Sequence, residues 1–234
     1  WPGDVVEAEV TGIGRLRQFE PRLNRVTDVL AFIAIAAGLC TMVSATTGVM
    51  TLCVAAVQPW DRFGTLWLDW WLGDALGAVI VAPAILTTAR ESWSRRRAVR
   101  ASTFIVGSTL VTYLIFGLPF GLGIHPLEFL VFPVVVAATL VGGPAVTSLV
   151  VLAASVVAIS QTVRGVGPFA SADVHHSLLL LQVFIGVLGA TAMLLAAAIA
   201  ERRTTERRAK RAAAALQEAK TAAEEGQLQL AGMY

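Results

Sequence analysis

Apolar residues in this chain run in long blocks, and the polar residues gather in the short stretches between them. Residues 28–57 form a 30-residue apolar run whose single charge, Asp28, stands at its first position. A straight membrane-spanning helix needs ~20 residues. The excess predicts tilt, a kink or a break, expected at Ser-Ala-Thr-Thr-Gly, 44–48, where hydroxyls can satisfy backbone groups freed by a bend. After a connector at 58–64, residues 65–89 predict a second span that carries Asp69 and Asp74, with Pro83 near its end. A basic loop, 90–100, leads to a third span at 101–118 and a Gly/Pro-rich turn at 119–126. Residues 127–163 are too long for one crossing, and Gly142-Gly143-Pro144 punctuates them. They read as two antiparallel spans, 127–141 and 145–163. A loop at 164–176 precedes the sixth span, 177–200.

The expected fold is therefore all-α: a polytopic transmembrane helix bundle of about six spans over 28–200. Residues 1–27, mixed and polar, form a cytoplasmic or peripheral N-terminal segment. The chain begins at Trp1 rather than Met, so an upstream part is expected to be missing. From 201 to 234 the sequence turns to Ala, Glu, Lys and Arg, strong helix formers. The last span is expected to continue into this tail as a C-terminal cytoplasmic signalling helix, with Glu206 and Lys210 spaced for an i, i+4 pair. A thin heptad seam places Ala209, Leu216, Ala223 and Leu230 on one line. A homodimer through this helix and a solvated single helix both fit that seam.

Composition agrees with lipid as the solvent. Hydrophobic residues make up 56% of the 234 and charged residues 15%, with a mean hydropathy of +0.71. A soluble domain of this size could not hide so much apolar surface. The net charge of +2 carries little information, but its distribution does. Sorted by six crossings, sixteen of the eighteen Lys and Arg fall on one side, and only Arg62 and Arg164 on the other. The positive-inside rule then places both termini in the cytoplasm. The basic residues lie in short blocks between apolar spans, so no nucleic-acid partner is expected.

Few residues can carry chemistry. Asp74 lies deep in the second span, where a carboxylate costs ~2.5–3.5 kcal/mol on insertion scales. It reads either as a ligand- or proton-sensing group or as a hydrogen bond locking two helices. Gly73 and Gly77 flank it in a GxxxG spacing that suits close helix packing. Trp70 and Trp71 could cradle a ligand or simply pack. Asp69 lies nearer the interface. Glu128, at the start of the fourth span, suits the positive end of a helix, and with His125 could form an external polar site. Arg164 could pair with Glu128 or Asp69, bind an anion, or be solvated. His175 and His176 are adjacent, so their side chains diverge, which makes a poor metal pair. Cys40 and Cys53 stand thirteen residues apart on one apolar segment, ~20 Å if helical, too far for a disulfide. There is no Ser/His/Asp arrangement, phosphate loop or HExxH motif. No catalytic residue, cofactor or metal site is assigned.

The block Leu-Asp-Trp-Trp-Leu-Gly-Asp-Ala-Leu-Gly-Ala-Val-Ile-Val-Ala-Pro at 68–83 resembles the signature of the MASE1 membrane-associated sensor domain of bacteria. Residues 19–29 leading into 43–49, 164–170 and 178–203 resemble the same family, and the likeness extends over about residues 3–208. It implies a sensory input module for a following histidine kinase or diguanylate cyclase. It supplies no ligand. The sequence contains no phosphoacceptor histidine motif and no GGDEF motif of its own.

Two other function classes fit the pattern. Intramembrane Asp74 and the interrupted spans would serve a small-solute or proton transporter or channel, though no internal repeat is visible. A membrane scaffold that docks a partner membrane protein is the third.

Overall fold

The computed structural model describes residues 9–10, 14–15, 23–89, 91, 93–117, 127–171 and 173–231. Most of the 1–27 segment, the turn at 119–126 with His125, and Arg90 lie outside these. Near the start, β1 (Glu9–Val10) and β2 (Gly14–Arg15) form a two-residue antiparallel ladder, Glu9 opposite Arg15. Every other described element is helical.

The first long helix is continuous from Val26 to Val54 but not uniform. It begins as α1 (Val26–Ala31), widens into a π-helical stretch (Phe32–Cys40) and tightens again as α2 (Thr41–Val54). The irregularity expected at 44–48 is therefore upstream of that stretch. The reason lies in the hydroxyls. Thr46, Thr47 and Thr51 donate to the carbonyls of Met42, Val43 and Thr47 at 2.7–2.8 Å, one turn back, and leave the helical ladder intact.

Three helices follow that are simpler to describe: α3 (Phe63–Thr88), α4 (Arg95–Gly117) and α6 (Val174–Ala231). Pro83 is buried inside α3, which continues past it. Between α4 and α6 lies α5 (Val131–Val163), broken at Gly143 with φ 76° and ψ −174°, backbone that only glycine adopts readily. Pro144 follows and cannot continue the first leg. The two legs form a hairpin. Phe132, at the start of one, and Phe169, six residues past the end of the other, pack on the same ring, Phe184, at centroid distances of 5.9 and 5.2 Å. At the turn, Arg203 Nη2 donates to the Leu140 carbonyl at 2.7 Å, and Ser148 shares a 2.8 Å hydrogen bond with Thr87.

These contacts sort the ends of the bundle. The start of α1, the end of α3, the start of α4, the hairpin turn and residues 201–203 of α6 gather at one end, with the Val26 amide donating to Glu201 at 3.5 Å. The end of α4, the loop after α5 and the first turn of α6 gather at the other.

Phe116, Val150 and Leu188, each at most 1% exposed, centre a core shared by α4, α5 and α6. A second cluster seats Leu23, Val29 and Ala37 on Val79, Met193 and Ala197. The outside is apolar too: Leu39, Val43, Ile85, Val106 and Val187 are more than half exposed. Among the described residues five helices are long and apolar enough to cross a membrane, the fourth being the one that contains the hairpin. This is a transmembrane bundle, and lipid covers that surface.

Candidate functional site

The tryptophans of α3 recur at helical spacing, so they fall on one side of the helix. That side meets the first long helix. Trp67 Nε1 donates to Thr46 Oγ1 and Trp71 Nε1 to the Gly38 carbonyl, both at 2.9 Å. The Trp67 and Trp71 rings stack at 5.8 Å and 13°. The Trp70 ring lies over Gly48, where an added Cβ would stand 2.9 Å from Cζ2. Gly38 sits in the π-helical stretch, where the regular i−4 bonding is interrupted. Its carbonyl accepts from Thr41 Oγ1 at 3.1 Å as well as from the indole. Trp70 and Trp71 are thus packing and hydrogen-bonding residues of a helix contact.

Asp74 follows one turn later, ~16 Å along α3 from Phe63. It is partly buried and has no hydrogen-bond or ion-pair partner among the described residues. The lock between two helices expected of it is not made here. Gly73 and Gly77 do not mediate close packing either, since a Cβ on each meets no described atom within 4 Å. The close approach to α3 comes from α6. Cβ atoms at Gly186 and Gly189 would come within 2.9 Å of Leu76 and 3.1 Å of Val79. The small residues that take this contact are Gly186 and Gly189, three apart rather than four, because which glycines face a neighbour depends on how the helices are rotated.

At the far end of the bundle, Asp69 Oδ2 lies 3.7 Å from His175 Nδ1. The two are 43% and 57% exposed, so this contact contributes little stability. Arg164 does not pair with Asp69 or Glu128. Its Nη1 reaches Gln161 Oε1 at 3.4 Å, three residues back on its own chain. Glu128 sits in a 3-10 turn, Leu127–Leu130, with Oε2 buried and unpartnered. Asp173 Oδ1 accepts from the amides of His175 and His176 and caps α6. Cys40 and Cys53 are free thiols, exposed and buried. Among the described residues no group of three His, Cys, Asp or Glu is placed to hold a metal.

The model of the MASE1 family matches residues 6–203. The chain belongs to the MASE1 family. It is a membrane-associated sensory domain with several membrane-spanning helices. No curated protein and no solved structure matches it.

The MASE1 match ends at Arg203, the residue that ties α6 to the hairpin turn. Beyond it α6 continues without interruption to Ala231. In this MASE1 chain the tail pairs Arg202 Nε with Glu206 Oε1 at 2.9 Å, in place of the Glu206–Lys210 pair expected from spacing. Arg202 and Glu206 satisfy the same i, i+4 rule, so spacing did not choose between them. Sequence reasoning missed Gly38, Thr46 and Gly48 as partners of the tryptophans. Only the regular spacing of Trp67 and Trp71 hinted that one side of α3 was committed to a neighbour.

Proposed function

We propose that this MASE1 domain is a sensory input module that relays a signal through α6 to a cytoplasmic output module of histidine kinase or diguanylate cyclase type. The observation that carries the reading is the continuity of α6. One helix contributes Leu188, 1% exposed, to the bundle core and Leu216, 73% exposed, to the tail. A shift or rotation of its buried half must therefore appear in its exposed half. Two packings of similar energy, biased by a stimulus that favours one, would suffice.

The topology proposed with it has six crossings, the two legs of α5 counting separately. Both termini are cytoplasmic in a bacterial inner membrane. Support comes from the gathering of Arg95, Arg96, Arg97, Arg100, Arg202 and Arg203 at the end where α3 meets α4 and α6 leaves the bundle. Asp74 is the proposed sensing group, since an intramembrane carboxylate without a partner is costly unless a ligand or proton relieves it. The part of α6 from 201 onward is proposed to pair with a second copy along the Ala209/Leu216 seam.

The relay is tested by fusing the chain to a reporter kinase or cyclase and inserting one to four residues between 204 and 215. Output is expected to vary with the number inserted and to recover near a full helical turn. Output indifferent to every insertion would end the relay account. A transporter reading gains no support from the cavity between α1, α3, α5 and α6, about 20 Å³ and lined by Val79, Val151 and Met193, room for about one water.

A further inference from the structure

A larger cavity, about 460 Å³, opens at the tail end of the bundle where the first turns of α4, the hairpin turn of α5 and α6 converge. Arg96, Arg97, Arg100 and Arg203 line it, with Glu91 the one acidic residue in its wall among the described residues. Gly143 and Pro144 form part of it. A second cavity of about 200 Å³ shares Gly143, Pro144 and Arg203 and adds Asn24 and Arg207. The arginines thus come from two separate parts of the chain, α4 and α6, brought together beside the hairpin turn.

The charge in this cavity is unbalanced. Glu91 pairs with Arg97. Arg96 and Arg100 have no ion-pair partner among the described residues, and Arg203 uses one Nη2 hydrogen bond on the Leu140 carbonyl. Each guanidinium carries five N–H donors in a planar fork that suits phosphate oxygens. The first turn of α4 carries Arg95, Arg96 and Arg97 with no acidic residue, against the positive end of the helix dipole. Crowding like charges at this point is unfavourable unless an anion is present. The walls are not uniformly polar, since Phe104, Val146 and the 62% exposed Val141 line the cavity as well. The volume lies within the ~300–1,000 Å³ range of small-molecule sites.

We propose that this cavity binds a phosphate-bearing anion, with Arg96, Arg100 and Arg203 as its ligands. Two sources share that chemistry, the headgroup of an anionic phospholipid and a soluble phosphate compound. The apolar wall favours the lipid. Occupancy would fasten the hairpin turn to α6 at Arg203. Its consequence for signalling rests on α6 being the output helix, but the binding does not.

The experiment uses the full chain. Native mass spectrometry from nanodiscs of mixed phosphatidylcholine and phosphatidylglycerol counts retained phosphatidylglycerol. In neutral detergent the same chain is titrated with inorganic phosphate, followed by thermal unfolding. Two pocket variants are compared, Arg100→Gln/Arg203→Gln and Arg96→Gln/Arg100→Gln, the second keeping the Arg203–Leu140 bond. The control, Arg208→Gln/Arg211→Gln, removes equal charge from the exposed tail. We expect anion binding to fall roughly tenfold or more in a pocket variant that unfolds at the normal temperature, and less than about twofold in the control. Retained phosphatidylglycerol without a phosphate response identifies the lipid as the source, and a phosphate response identifies a soluble anion. Equal losses in pocket and control variants, or no binding in either arm, would overturn the proposal.

Discussion

The indole N–H of Trp71 donates to the backbone carbonyl of Gly38, 2.9 Å away, so a side chain of α3 supplies a hydrogen bond to the π-helical stretch of the first helix. This bond and that stretch belong together. A π-helical segment shifts the regular i−4 bonding, and Trp71 and Thr41 both donate to the carbonyl at Gly38. Replacing Trp71 by Phe keeps the ring and removes the donor. We expect a loss of about 0.6–1.7 kcal/mol, the range for interhelical hydrogen bonds in membranes, read as a lower unfolding temperature in detergent. An unchanged midpoint would mean that Thr41 alone satisfies the carbonyl.

Glycines on the two sides of this contact should behave differently. Gly48→Ala places a methyl against the Trp70 ring and should destabilise the protein or displace that ring. Gly73→Ala and Gly77→Ala meet open space and should raise stability, by up to about 1 kcal/mol each from helix propensity. Thermal unfolding of the three single variants decides it. A loss at Gly73 or Gly77 as large as at Gly48 would mean that a partner covers α3 there.

Gly143 holds backbone that a side chain strains, with φ at 76°. Gly143→Ala should cost about 1–3 kcal/mol and loosen the turn that Arg203 contacts. A lower thermal-unfolding midpoint of Gly143→Ala in detergent is the expected result, and an unchanged midpoint would mean that the turn tolerates a side chain.

Asp74 without a partner leads to an unusual expectation. Asp74→Leu should leave thermal stability unchanged or raise it by up to about 3 kcal/mol, because a costly charge is removed and no hydrogen bond is lost. Output of a fused reporter should nevertheless change in both Asp74→Leu and Asp74→Asn. A clear drop in stability would instead reveal an interaction that holds two helices together.

Much of this protein was legible in its residues, because a bilayer imposes one strong rule. Any segment crossing it must be apolar, long enough and internally hydrogen-bonded. That rule makes the long apolar blocks helices and Gly142-Gly143-Pro144 a point of reversal, while the helix-forming Ala, Glu, Lys and Arg of the tail continue the last span. Membership of the MASE1 family was legible from the Leu68-to-Pro83 block for a different reason, the specificity of its Trp, Gly and Asp spacing.

The tertiary structure decided which face of each helix meets which neighbour. Hydropathy is nearly the same all round these helices, so it does not orient them. Hence Gly48, Gly186 and Gly189 take the close contacts while Gly73 and Gly77 do not. Hence too Asp69 meets His175 rather than Arg164. The π-helical stretch has the same origin, since its location at 32–40 involves a hydrogen bond from a tryptophan 33 residues away. The convergence of four arginines on one cavity also depends on the hairpin bringing Gly143 between α4 and α6. In a lipid solvent, composition determines that a segment spans, and side-chain fit and hydrogen bonding between helices determine how the spans assemble.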